Sequence, residues 1–150
     1  MTLFNAKTGE TSGKIELPAY ANWLSFSPDD KTLVSISTSH WRNVEPSPAT
    51  IIHAWDLEND RQQFTMISDR KLLSAAISPD GEIVAVGCDD GHVRFWDMTG
   101  RRLSALPAHE NPVRHVRYSP DGRTLATSSQ DQTIKIWDIE KLKIGIPPKP

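Results

Sequence analysis

The sequence predicts an all-β chain of small four-stranded antiparallel units stacked side by side, and three observations carry that prediction. Trp-Asp pairs recur at Trp55-Asp56, Trp96-Asp97 and Trp137-Asp138, a constant step of 41 residues. A Ser-Pro-Asp turn precedes each pair, beginning at Ser27, Ser78 and Ser119. Between these landmarks lie β-branched and aliphatic runs such as Ile51-Ile52 and Ile83-Val84-Ala85-Val86, without the clean alternation of a sheet that has one wet face. Self-similarity at a period near 40, closed by a Trp-Asp pair, marks β-propeller blades, each covered on both faces by its neighbours. Closed propellers need about four to eight blades. Three units therefore imply an incomplete ring or half of an oligomeric one.

The third unit shows the blade most plainly. Val113 to Tyr118 reads as a strand, Ser119-Pro120-Asp121-Gly122 as a turn, Thr124 to Ser128 as a second strand and Thr133 to Trp137 as a third. Pro120 presets φ at the second turn position, and Gly122 accepts the left-handed conformation that reverses the chain. The second unit repeats this with Ser78-Pro79-Asp80-Gly81. In the first, Asp30 stands where the others have glycine, a tolerable exchange because Asp visits left-handed backbone more readily than most residues. A fourth, outer strand fits at Gln62 to Ile67 and at Arg102 to Leu106.

The turn proline lies 17 residues before the tryptophan in units two and three (Pro79 to Trp96, Pro120 to Trp137), but 27 before it in unit one (Pro28 to Trp55). Strand spacing puts the ten extra residues between the second and third strands, within Thr38 to Thr50. Phe4-Asn5 precedes Trp55-Asp56 by 51 residues, one repeat plus that insertion, so residues 1–5 read as the stump of an earlier strand. The expected organisation is a propeller segment over 1–145, with units near 6–57, 58–98 and 99–139, and a Pro-rich tail over 146–150.

These residues resemble the WD-repeat propeller family from about Leu3 to Ile139. In that family a His, a Ser or Thr on the second strand, an Asp in the next turn and the closing Trp form a buried hydrogen-bonded tetrad. The resemblance assigns those roles to His109, Thr127, Asp131 and Trp137 in unit three, although Ala108 replaces the glycine that commonly precedes the His. Unit two keeps Asp90 and Trp96 but has Ser68 and Val86 at the other two positions. Unit one keeps only Trp55: Leu17 takes the His position, Ser35 is displaced from register by the lengthened loop, and no carboxylate matches Asp131. Tetrad rigidity is thus expected mainly in the third blade.

Composition narrows the function. With 37% apolar residues, 24% charged residues and a formal net charge of -2, the chain has no overall bias toward nucleic acid or acidic membranes. Five arginines make unit three locally basic (Arg101, Arg102, Arg114, Arg117 and Arg123), which is the sole support for a nucleic-acid-associated adaptor. Strand periodicity scatters them, and no aromatic interleaving accompanies them. Cys88 is the single cysteine, so no internal disulfide forms. A cytoplasmic location is the expectation, and no run suits a membrane span or an apolar leader. Asp89-Asp90-Gly91-His92 lacks the spaced oxygen ligands of a calcium loop and a second ligand pair for zinc. No metal or cofactor is expected.

Thr127, His109 and Asp131 also have the types needed for a hydroxyl, imidazole and carboxylate triad, the basis of a hydrolase-like alternative. The tetrad explains the same three residues together with Trp137, and a noncatalytic protein- or peptide-binding scaffold is the reading adopted. The long loop with Trp41, Arg42, Asn43 and Glu45 is its leading candidate surface, since Trp and Arg are enriched at interface hot spots. Arg70, Asp89, Glu110, Asn111, Arg114 and Gln130 fall on the same expected face, and their mixed signs suit protein better than a phosphate track. The stacked ends must be covered by further blades of a longer chain, the favoured arrangement, or by a second copy closing a six-bladed ring.

Overall fold

The computed structural model describes residues 2–4, 7–14, 20–38, 50–68, 70–142 and 144. The first sheet is β3 (Tyr20–Phe26), β4 (Thr32–Thr38), β5 (Thr50–Asp56) and β6 (Arg61–Ser68), ordered β3-β4-β5-β6 and antiparallel throughout. A short hairpin precedes it, β1 (Thr2–Phe4) paired with β2 (Thr11–Lys14). The second sheet is β7 (Leu72–Ile77), β8 (Ile83–Cys88), β9 (His92–Asp97) and β10 (Arg102–Pro107). The third is β11 (Val113–Tyr118), β12 (Thr124–Ser129) and β13 (Ile134–Asp138), followed by one helical turn, α1 (Ile139–Leu142). These are propeller blades in series.

The turns follow from their residues. Asp30, Gly81 and Gly122 all take left-handed backbone, with φ of 59°, 76° and 71°. In each turn the Ser hydroxyl donates to the Asp carboxylate at 2.6 Å. The same Ser oxygen accepts the amide of Thr32, Ile83 or Thr124, which starts the second strand. Asp30 therefore supports the same reversal as the two glycines.

Repeat and sheet are out of phase. Each expected unit opens with an outer strand, yet β6 bonds to β5 of the preceding unit and β10 bonds to β9. Every repeat thus completes the sheet before it. The third sheet has three strands among the described residues rather than four, and no strand pairs with the outer edge of β13 there.

Two cores lie between the sheets. Val34, Ile36, Ile52 and Ala54 of the first pack on Ala75, Ile77, Val84, Val86 and Trp96 of the second. Ala76, Ala85, Val93 and Phe95, on the second sheet's other face, pack on Val113, Val116 and Leu125. All six residues of β8 are consequently buried. The expectation that both faces are covered holds for this blade and fails for the third. There β12 alternates, and Ile134 and Ile136 of β13 are 75% and 65% exposed. The physical reason is that no described sheet stacks on that side.

Candidate functional site

His109 precedes β11 and lies against the turn between β12 and β13. Its Nδ1 is 2.8 Å from the Asp131 carboxylate and its Nε2 is 2.7 Å from the Thr127 hydroxyl, which accepts the Trp137 indole N–H at 2.9 Å. Because an ionised carboxylate only accepts, Nδ1 carries a proton and donates it to Asp131, while Nε2 shares a hydrogen bond with the Thr127 hydroxyl. The result is one chain from Trp137 through Thr127 and His109 to Asp131. The Thr133 hydroxyl adds a further bond to Asp131 at 2.6 Å. Burial pushes the Asp131 carboxyl upward, but bonds from the Thr133 hydroxyl and amide and from His109 outweigh it and hold the group well below the usual range. Thr127 is 1% exposed, so its oxygen offers no approach to a substrate carbonyl.

The second blade satisfies the same column differently. Val86 pairs with Arg94 in the register in which Thr127 pairs with Lys135. With no histidine to hold, Asp90 turns to Arg94, accepting from its two terminal nitrogens at 2.9 and 2.6 Å. Those bonds, led by the side-chain pair, hold the Asp90 carboxyl down to about 2 despite partial burial. Sequence reasoning missed Arg94. The available signal was its place in a column of basic types, His53, Arg94 and Lys135, with an Asp four residues before the last two, Asp90 and Asp131. Ser68, at the His position, accepts instead from the Arg70 amide at 3.1 Å. Burial pushes the Cys88 thiol up to about 11, which makes it a packed residue and not a nucleophile.

The first blade requires a correction. Ser35 sits on β4 opposite His53, the same register as Val86 to Arg94, so the insertion does not displace it. The extra residues fall between Ser35 and His53, most of them between the end of β4 and the start of β5. Buried Ser35 Oγ and Trp55 Nε1 have no hydrogen-bond partner among the described residues, so two members of the column are in place without a connecting imidazole. Leu17 lies outside the described residues.

Each aspartate of the Trp-Asp pairs caps the connection after its strand. Asp56 accepts the amides of Glu58 and Asn59, Asp97 those of Thr99 and Arg101, and Asp138 that of Glu140.

The predicted surface residues divide in two. Trp41, Arg42, Asn43 and Glu45 lie outside the described residues. Arg70, Asp89, Glu110, Asn111 and Gln130 are exposed in connections at one end of the blades, and exposed Arg114 is the second residue of β11 at that same end. Three contacts tie those connections together. Gly91 has φ of 80°, and a Cβ there would meet the His109 carbonyl at 2.1 Å, so only glycine permits this approach. The Gln130 amide donates to Pro112 O at 3.1 Å, and the Ser129 hydroxyl to Asn111 O at 2.9 Å. The Gln130 carboxamide oxygen accepts from Arg114, 3.3 Å from Nε. Arg70 lies 3.7 Å from Asp90. The unit-three arginines do not form one track: Arg101 pairs with Asp97 at 2.9 Å, while Arg117 lies over the Trp23 ring.

Residues 63–97 and 100–138 match the family described as WD domain, G-beta repeat. The chain belongs to the WD-repeat family. The WD-repeat matches include the general transcriptional corepressor TUP1 of Saccharomyces cerevisiae, 34% identical over 61 residues, covering 40% of this chain and 9% of that protein. The small ribosomal subunit protein RACK1 of Caenorhabditis elegans is 30% identical over 96 residues, covering 61% of this chain and 27% of the relative. Coronin-7 of Mus musculus is 36% identical over 62 residues, covering 41% and 6%. A solved chain described as the structure of U3-55K superposes with a TM-score of 0.71 at 19% identity, over 85% of this chain and 38% of that one, a likeness of fold. This WD-repeat chain thus spans under a third of each of these curated relatives.

Proposed function

We propose that the chain is a noncatalytic protein- or peptide-binding scaffold whose contact surface is the rim of connections carrying Arg70, Asp89, Glu110, Asn111, Arg114 and Gln130. WD-repeat proteins are generally scaffolds of this kind. The supporting observation is the clasp beneath the rim. The His109 to Asp131 and Arg94 to Asp90 bonds hold the connections from within, so the surface residues stand on a base that needs little ordering when a partner binds. Trp41, Arg42, Asn43 and Glu45 belong to the long connection at the same strand ends and extend this surface in the proposal. The test is quantitative recovery of partners by the wild type, by Trp41→Ala and by Arg114→Ala. Loss in either variant with unchanged thermal unfolding is expected, and equal recovery from all three would remove the reading.

The open face of the third blade belongs to the same proposal. Further blades cover it, supplied by the continuation of a longer chain or by a second copy. Light scattering against the chain mass of 16.8 kDa separates the two, since a discrete dimer is expected only of the second.

A further inference from the structure

Antiparallel strands place successive connections at opposite ends of a sheet, so the three Ser-Pro-Asp turns lie at the end away from the rim. They converge on an open cleft of about 350 Å³, walled by Pro28, Pro79 and Pro120, one from each sheet, together with Ser25, Arg117 and Tyr118. The only cation in that lining is Arg117. Its guanidinium carbon stands 5.0 Å from the centroid of the Trp23 ring, a cation–π distance. Trp23 is itself anchored, donating its indole N–H to the Ala75 carbonyl at 2.9 Å. The platform comes from the first blade, its anchor from the second and the arginine from the third, so the guanidinium is positioned by all three. Among the described residues Arg117 forms no ion pair. Tyr118 contributes a buried hydroxyl that also lacks a partner among them.

A guanidinium held on an indole face and without a direct ion pair, beside proline rings, joins a charge that asks for a carboxylate to walls that ask for aliphatic surface. The three turn carboxylates, Asp29, Asp80 and Asp121, each accept from their own serine. Beside those carboxylates a monoanion on Arg117 meets less repulsion than a phosphate dianion would. We infer that this cleft binds an acidic peptide segment, with a Glu or Asp carboxylate on Arg117 and an adjacent aliphatic side chain among the three prolines. The site is separate from the rim and independent of it.

The test uses the full chain labelled with nitrogen-15 and two blocked tripeptides, acetyl-Ile-Glu-Ile-amide and acetyl-Ile-Gln-Ile-amide, with acetate as a third titrant. The Trp23 indole N–H resonance, assigned by its loss in Trp23→Phe, is the readout. The Glu peptide should shift it saturably and bind about tenfold more tightly than the Gln peptide, the scale of one charge-assisted hydrogen bond. Arg117→Gln should abolish that difference without altering thermal unfolding, and Arg117→Lys should restore part of it. Equal affinity of the two peptides, no saturable shift, or acetate binding as tightly as the Glu peptide would each overturn the inference. Rim variants such as Arg114→Ala should leave the titration unchanged.

Discussion

The second and third blades share sequence landmarks, strand order and register, yet they hold their connections by different chemistry. In the third, a relay of Trp137, Thr127 and His109 ends on one carboxylate. In the second, an arginine reaches that carboxylate directly and a valine fills the place of the hydroxyl. In these two blades the turn carboxylate is bonded to the column beneath it by either solution, whereas in the first blade Ser35 and Trp55 stand buried without such a link. A hydroxyl without its imidazole, or an arginine without its carboxylate, would leave a buried polar group unmatched.

Removing one partner should separate the blades most sharply. Asp90→Ala leaves the Arg94 guanidinium, only 10% exposed, without its charge partner, and should lower stability by about 3–5 kcal/mol in urea unfolding. The double variant Asp90→Val with Arg94→Met removes both charges and should recover most of that loss. A double variant as unstable as the single one would show that the pair is not the source of the cost. In the third blade, Thr127→Val should cost about 1–3 kcal/mol, because the Trp137 N–H and His109 Nε2 both lose their partner. Val86→Thr in the second blade should also destabilise, since the new hydroxyl would be buried beside no histidine. Stabilisation by Val86→Thr would break the comparison.

The ionic clasp should respond to acid in a definite direction. The Asp90 carboxyl sits near 2 in the folded chain against 3.8 for the free group, so folding depresses its pKa. Its contribution is complete above about pH 4 and falls away as the pH drops through the folded value. Wild type and Asp90→Asn should therefore differ in unfolding midpoint at pH 5 and converge toward about pH 2, and a constant gap would contradict the assignment. The smallest effect belongs to the open face. Ile136→Thr should change stability by no more than about 0.5 kcal/mol, whereas Phe95→Ala, in the core of the covered blade, should cost about 3–5.

The features legible in the sequence were those set by local chemistry. Ser-Pro-Asp reports a turn because proline and the left-handed fourth residue act within four positions, the 41-residue step marked the units, and the family resemblance assigned His109, Thr127, Asp131 and Trp137 without any coordinates. Arg94 was not legible, because a basic residue in a strand announces nothing until register shows it facing Val86. Ser35 was misplaced although the insertion was put after it: it stands seven residues beyond Pro28, as Val86 does beyond Pro79, so the lengthened loop leaves its register untouched. Trp23 makes its hydrogen bond across 52 positions to another blade, beyond the reach of any local pattern. The uncovered side of the third blade depends on what stacks there, which its own strands do not encode.

The phase difference between repeat and sheet bears on how such a gene can be cut. Excising residues 58–98 would remove β6 through β9 and bring β10 directly behind β5. The shortened chain would keep an outer strand for its first sheet and lose one whole blade's worth of strands. Excising β7 through β10, the strands of one visible sheet, would remove the outer strand that belongs with β9 and join β6 straight to β11, with the same count of blades remaining. Deletion at either boundary therefore leaves a four-stranded first sheet and the same three-stranded last one among the described residues.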